Sequence, residues 1–158
     1  MRAVIATTLL LVSGAWAAAD FVFQPPESSE PWVGVRVPLT RTSGHGGLWG
    51  MAAPASNVRG TLHRLYLRAR VTDASGAYSI WLARHNAQGR RLAEVRVGET
   101  YPPLRADLDG WLFFVHNLDR NPIGLYDTVL IKHHPDAEPG KAPQAVEILR
   151  GQLPPREP

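Results

Sequence analysis

The chain contains no cysteine, so no disulfide restricts its unfolded state and no thiol is present to act as nucleophile, lipid acceptor or metal ligand. Lysine is scarce as well: Lys132 and Lys141 are the only two among 17 basic residues, and the other 15 are arginine. Beyond Val12 no apolar run is long enough to cross a bilayer as a helix. No Gly-x-Ser-x-Gly elbow occurs, and Gly44-His45-Gly46-Gly47 matches neither the GxGxxG nor the Walker phosphate-binding spacing. Ser43 and His45 are neighbours in a glycine-rich stretch, which is not an oriented triad. Asp107 and Asp109 are two apart, whereas an acid and a nucleophile must face each other across a substrate cleft. These absences lead us to expect no enzyme. The net charge is only +3, with arginines spread along the chain instead of clustered, so no nucleic-acid partner is expected.

What is present begins with an export pattern. Arg2 forms a short basic region, residues 3–12 are apolar, and Ala15 and Ala17 supply small residues before a cleavage point. Residues 1–19 are therefore expected to be a signal peptide, and the mature protein to be periplasmic or secreted, with no transmembrane helix. The alternative is a retained membrane anchor. About 140 remaining residues suffice for one core without disulfides.

Residues 20–31 read as an extended arm able to pair at a sheet edge through Phe21-Val22-Phe23. Residues 32–153 read as one β-domain, and residues 154–158 as a disordered tail. Period-2 alternation is clear in Val33, Val35, Val37 and Leu39, again in Leu65, Leu67, Ala69 and Val71, and in the hairpin from Ala77 to Val97 around Asn86-Ala87-Gln88-Gly89. Residues 110–118 are apolar on both faces and read as a central strand. Residues 40–57, with four glycines, read as a long loop, a feature that more often carries function than mere connection. About seven short strands separated by turn signals predict an all-β fold, a single antiparallel β-sandwich of Ig-like general architecture; a closed barrel is the alternative.

From Thr61 onward, Tyr78, Trp81, Leu82, Gly89, Gly110, Val129, Ile131, Pro135, Pro143, Leu149 and Gly151 stand in an order that resembles the extracytoplasmic domain of anti-sigma-K factors. The resemblance covers about ninety residues. It implies a β-sandwich on the far side of the membrane and implies nothing about sigma-factor control. Lys132-His133-His134-Pro135 departs from the threonine-glutamate-proline step of that family.

Two functions fit these features. The first is a non-enzymatic exported module that binds a protein or envelope component, with no cofactor, through Leu48, Trp49 and Met51 of the glycine-rich stretch and through Trp81. Trp81 lies opposite Tyr78, Ile80 and Leu82, so it is either a binding residue or the core of a second face. The alternative is a small periplasmic copper protein using His45, Met51, His133 and His134, since imidazole and thioether together suit copper. Adjacent His133 and His134 on a strand point to opposite faces and would not chelate one ion. His63 and His116 are expected to be partly buried, and His85, beside the hairpin turn, to be exposed. N-terminal sequencing of exported protein should find chains starting at Ala18 or Asp20; intact Met1 in a membrane fraction would contradict the signal-peptide reading.

Overall fold

The computed structural model describes residues 19–42, 46–71, 76–98, 104–135 and 145–155. These form nine strands: β1 (Ala19–Phe23), β2 (Trp32–Arg41), β3 (Trp49–Asn57), β4 (His63–Arg70), β5 (Ala77–His85), β6 (Arg91–Arg96), β7 (Trp111–Leu118), β8 (Thr128–His134) and β9 (Val146–Gln152). All pair antiparallel in one sheet of order β6-β5-β8-β9-β2-β3-β4-β7, with β1 added beside β2. The fold is all-β, as the alternation predicts, and the strands make one continuous sheet curled into a half-barrel. The described part of the expected arm, Phe21-Val22-Phe23, pairs at the edge of β2 as anticipated. The expected signal peptide (apart from Ala19) and the last three tail residues lie outside the described residues.

The concave side holds the core. Val37, Leu39, Leu65, Leu67, Tyr78, Ile80, Leu82, Leu112, Phe114, Val129, Ile131 and Leu149 come from both ends of the sheet and form one buried cluster. The organising hairpin folds as its sequence predicts. Asn86 Oδ1 accepts from the Gln88 and Arg90 amides at 3.1 and 2.8 Å, and Gly89 adopts φ 77°, a conformation that costs glycine little.

Two expectations are corrected. Most of residues 40–57 is not loop: Thr40 and Arg41 complete β2, and β3 fills Trp49–Asn57. Alanine, glycine and proline disguise this strand because they have low β-propensity, yet the site requires small side chains. A Cβ on Gly50 would stand 2.8 Å from Ala69 Cβ and 2.9 Å from the Arg68 carbonyl oxygen. Nor is β7 central. It pairs only with β4, and its outward residues Phe113 and Val115 stay exposed. Apolarity on both faces reflects an outward aromatic surface here, not a second covering layer.

The two ends of the sheet are joined by a short seam. β2 pairs with β1 along Trp32–Arg36 and with β9 only at Thr40 and Arg41, so Pro38 sits in the gap between these partners. The Thr42 amide donates to the Ile148 carbonyl at 3.0 Å and Thr42 Oγ1 to the Glu147 carbonyl at 2.7 Å, extending the seam. At Gly151 a Cβ would lie 2.6 Å from Leu39 Cδ2, 2.8 Å from Val37 Cγ1 and 2.9 Å from the Pro38 carbonyl oxygen. Gly151→Ala should therefore cost about 1–3 kcal/mol in denaturant unfolding, the usual penalty of overpacking. An unchanged midpoint would show that the seam can open without loss.

Candidate functional site on the outward face of β3, β4 and β7

The register of three strands writes the site directly. Trp49 lies across from Arg70 and Arg70 from Trp111; Met51 lies across from Arg68 and Arg68 from Phe113; Ala53 lies across from Tyr66 and Tyr66 from Val115. Directly opposed residues share a face, so these three rows make one outward surface. Trp49 is 53% exposed, Phe113 56% and Val115 58%. The Arg68 guanidinium lies 4.1 Å from the Trp111 ring centroid and 5.5 Å from that of Phe113, and Arg70 is 5.6 Å from Trp111. Trp49 meets Trp111 edge-on, with centroids 5.3 Å apart. Each exposed cation–π contact is worth about 0.5–1 kcal/mol, so several together order the patch without burying it.

The charge on this face has one sign. On this face β2, β3, β4 and β7 carry Arg36, Arg64, Arg68 and Arg70 and not one carboxylate. Arg64 pairs with Glu27, whereas Arg36, Arg68 and Arg70 have no ion-pair partner among the described residues. Arg36 instead lies over Phe21 at 4.8 Å. The other half instead holds carboxylates among its cations: Arg91 bridges Glu94 and Glu147 at 2.8 and 2.9 Å, Lys132 meets Glu94 at 2.8 Å, and Arg150 meets Glu147 at 2.8 Å.

Of the residues expected to bind a partner, Trp49 and Met51 lie on this surface, while Leu48 is buried in the core and unavailable to any partner. Leu48 immediately precedes β3 and packs into the core cluster with Val37, Leu39 and Leu67. Trp81 is elsewhere, on β5, separated from β3 by β8, β9 and β2. Its Nε1 donates to Ser79 Oγ at 2.7 Å, and Lys132 Nζ sits 4.3 Å over its ring. Trp111, Phe113, Arg68 and Arg70 escaped sequence reading, although arginines at every second position opposite Leu65, Leu67 and Ala69 were a usable signal.

Comparison with family models, with curated proteins and with solved structures finds no match to this chain.

Of the expected copper donors, Met51, His133 and His134 do not assemble. Met51 is on β3, and His133 and His134 are on β8, with β2 and β9 between. His133 stacks on Tyr78 with centroids 5.1 Å apart, while His134 Nε2 meets Ser79 Oγ at 2.7 Å on the other face. Burial, then the neighbouring Arg96, His133 and Lys132, push the His134 imidazole below its ordinary value. His45 lies outside the described residues, and among the described residues no three His, Cys, Asp or Glu side chains form a metal-holding group. Asp107 is a turn cap, its Oδ1 accepting from the Asp109 and Trp111 amides at 3.0 and 2.8 Å.

His85 is the other correction, because its side chain is only 15% exposed. Its Nδ1 lies 2.7 Å from Asp127 Oδ1, and its amide donates to Asp127 Oδ2 at 2.5 Å. Thr128 Oγ1 also donates to Asp127 Oδ1 at 2.5 Å. Burial alone would raise the Asp127 carboxyl, but bonds from Thr128, the His85 amide and the His85 ring outweigh it and hold the value low. A carboxyl lowered on folding stabilises above its unfolded value, near 4, and loses that stabilisation as pH falls through the folded one. Asp127→Asn should thus cost about 1–3 kcal/mol at neutral pH. Parent and variant should converge in acid; a constant gap at every pH would refute the role of the charge.

Proposed function

We propose that this protein is a non-enzymatic binding module of the cell envelope, exported to the periplasm or beyond, that docks an anionic partner on the outward face of β3, β4 and β7. The single observation that carries the reading is the Trp49–Arg70–Trp111 and Met51–Arg68–Phe113 rows, in which apolar rings stay exposed beside unpaired guanidiniums. Large exposed apolar groups arranged as one patch mark interaction surfaces, and tryptophan and arginine are the residue types that most often dominate binding energy. The one-signed charge selects a partner carrying carboxylates, phosphates or sulfates, and steers its approach. The resemblance to the extracytoplasmic domain of anti-sigma-K factors supports an envelope location for such a module. A single core between two halves of a curled sheet supports the further reading of a sandwich of Ig-like general kind.

Co-sedimentation with isolated envelopes across a salt series tests the proposal. Trp49→Ala and Phe113→Ala should leave the melting temperature nearly unchanged and weaken binding about tenfold or more together. Arg68→Glu should flatten the salt dependence. A stability loss of roughly 3 kcal/mol or more for Trp49→Ala would instead mark it as core, and unaltered binding by all three variants would remove the site.

A further inference from the structure

Among the described residues the strand path ends at β6 and β7, each paired on one side, and a cleft of about 740 Å³ lies between them. At one end the edges nearly meet, since a Cβ on Gly98 would stand 3.1 Å from His116 Nδ1. From there the cleft runs along β6 to Ala93 and is walled opposite by the end of β7 and the segment 119–126. Its floor is the apolar interior: Leu82, Val95, Val97 and Leu118. Arg84 and Arg120 stand at its margin with a single carboxylate, Asp119, and neither arginine has an ion-pair partner among the described residues.

The hydrogen-bond phase of β6 shows what faces this space. The Val97 amide donates to the Ile80 carbonyl at 2.8 Å, so in the antiparallel ladder Val95 and Ala93 also face β5. The N–H and C=O groups of Glu94 and Arg96 therefore point away from β5, to the free edge. β6 pairs with no strand but β5 among the described residues, so these backbone groups have no ladder partner there. An alkyl chain entering the cleft would cover them without bonding them, which is costly. A second copy of this chain would bring the same guanidiniums to the same mouth. An extended peptide satisfies both demands.

We propose that β6 accepts an extended acidic peptide segment of a partner protein as an added strand in this cleft. Alternate apolar side chains of the segment drop onto Val95, Leu82 and Leu118, and carboxylates at its end, in phase with that apolar row, meet Arg84 on the same face as Leu82 and Arg120 at the margin. The site is separate from the β3–β4–β7 face, so either can fail without the other.

Fluorescence anisotropy with labelled, capped octapeptides that alternate Val with Ser and carry Glu, Lys or Ser at the last position of the Val row tests it on the full chain. The Glu-ended peptide should bind at least about tenfold more tightly than the Lys-ended peptide, and the ratio should collapse in the Arg84→Ala, Arg120→Ala variant. Arg96→Pro deletes one free-edge donor without removing a β5 bond, as edge strands tolerate. It should abolish binding, whereas Arg96→Ala should keep most of it. On the unmutated chain the peptide should slow hydrogen exchange at the Glu94 and Arg96 amides, a readout that survives if the proline variant misfolds. No saturable peptide binding up to about 1 mM overturns the proposal. So does saturable binding of laurate alone, equal binding to the Arg96→Pro variant, or concentration-dependent dimerisation that protects the same two amides.

Discussion

Everything in this fold depends on how closely β9 can approach β2. Two halves, β1-β2-β3-β4-β7 and β6-β5-β8-β9, share one core but, among the described residues, are hydrogen-bonded along a short seam where residues 40–42 meet residues 147–150. The seam is short because Pro38 and the β1 pairing take up the rest of that edge of β2. With no cysteine to staple the halves, Gly151 compensates by letting Leu39, Val37 and the Pro38 carbonyl close over its backbone. Burial of Leu39, Val37 and Leu149 at this junction supplies the apolar gain that a handful of seam hydrogen bonds could not, each netting only about 1 kcal/mol.

The curl gives the two outward faces different surroundings, and the sequence treats them differently. On β6, β8 and β9, Glu94 and Glu147 are each held by two cations, so Arg91, Lys132 and Arg150 are spent in ion pairs. On β2, β3, β4 and β7, Arg64 pairs with Glu27, whereas Arg36, Arg68 and Arg70 meet aromatic rings. A ring quadrupole attracts a guanidinium without neutralising it, so the positive field persists beyond the surface. Surface ion pairs contribute little to stability in either arrangement, which points to partner selection as the meaningful difference.

Legibility in the sequence followed the size of the side chains. Leu65, Leu67 and Ala69, and Tyr78, Ile80 and Leu82, alternate visibly because each stands on a surface with one buried face, and the hairpin turn announces itself through Asn86 and Gly89. β3 is hidden because its fitness lies in smallness: Gly50 and Ala52 make room for neighbours, and no propensity scale rewards that. Edge and centre could not be told apart for β7, since Trp111, Phe113 and Val115 are apolar whether a layer or a partner covers them. The seam was invisible because the demand on Gly151 comes from Val37 and Leu39, more than a hundred residues away in the chain and next to it only in the fold. Of the two rows that carry the proposed surface, Trp49 and Met51 were therefore readable, and the register supplied Arg68, Arg70, Trp111 and Phe113.

That register has a consequence for how the surface would bind. The Arg68 guanidinium carbon lies 4.1 Å over the Trp111 ring, a cation–π contact that holds the side chain without placing its five N–H donors in an ion pair. Such a contact orders the side chain and leaves hydrogen-bonding capacity open, the opposite of an ion pair, which consumes it. An arginine free in solvent would lose rotamer freedom on docking, about 0.5–1.5 kcal/mol for such a side chain. Here the cation–π contact has already removed much of that freedom in the unbound protein. The same logic applies along the row: Trp49 edge-on to Trp111 holds one ring against another while more than half of its surface stays open. A three-strand floor beneath these groups keeps their spacing fixed, so the patch would meet the proposed partner preorganised.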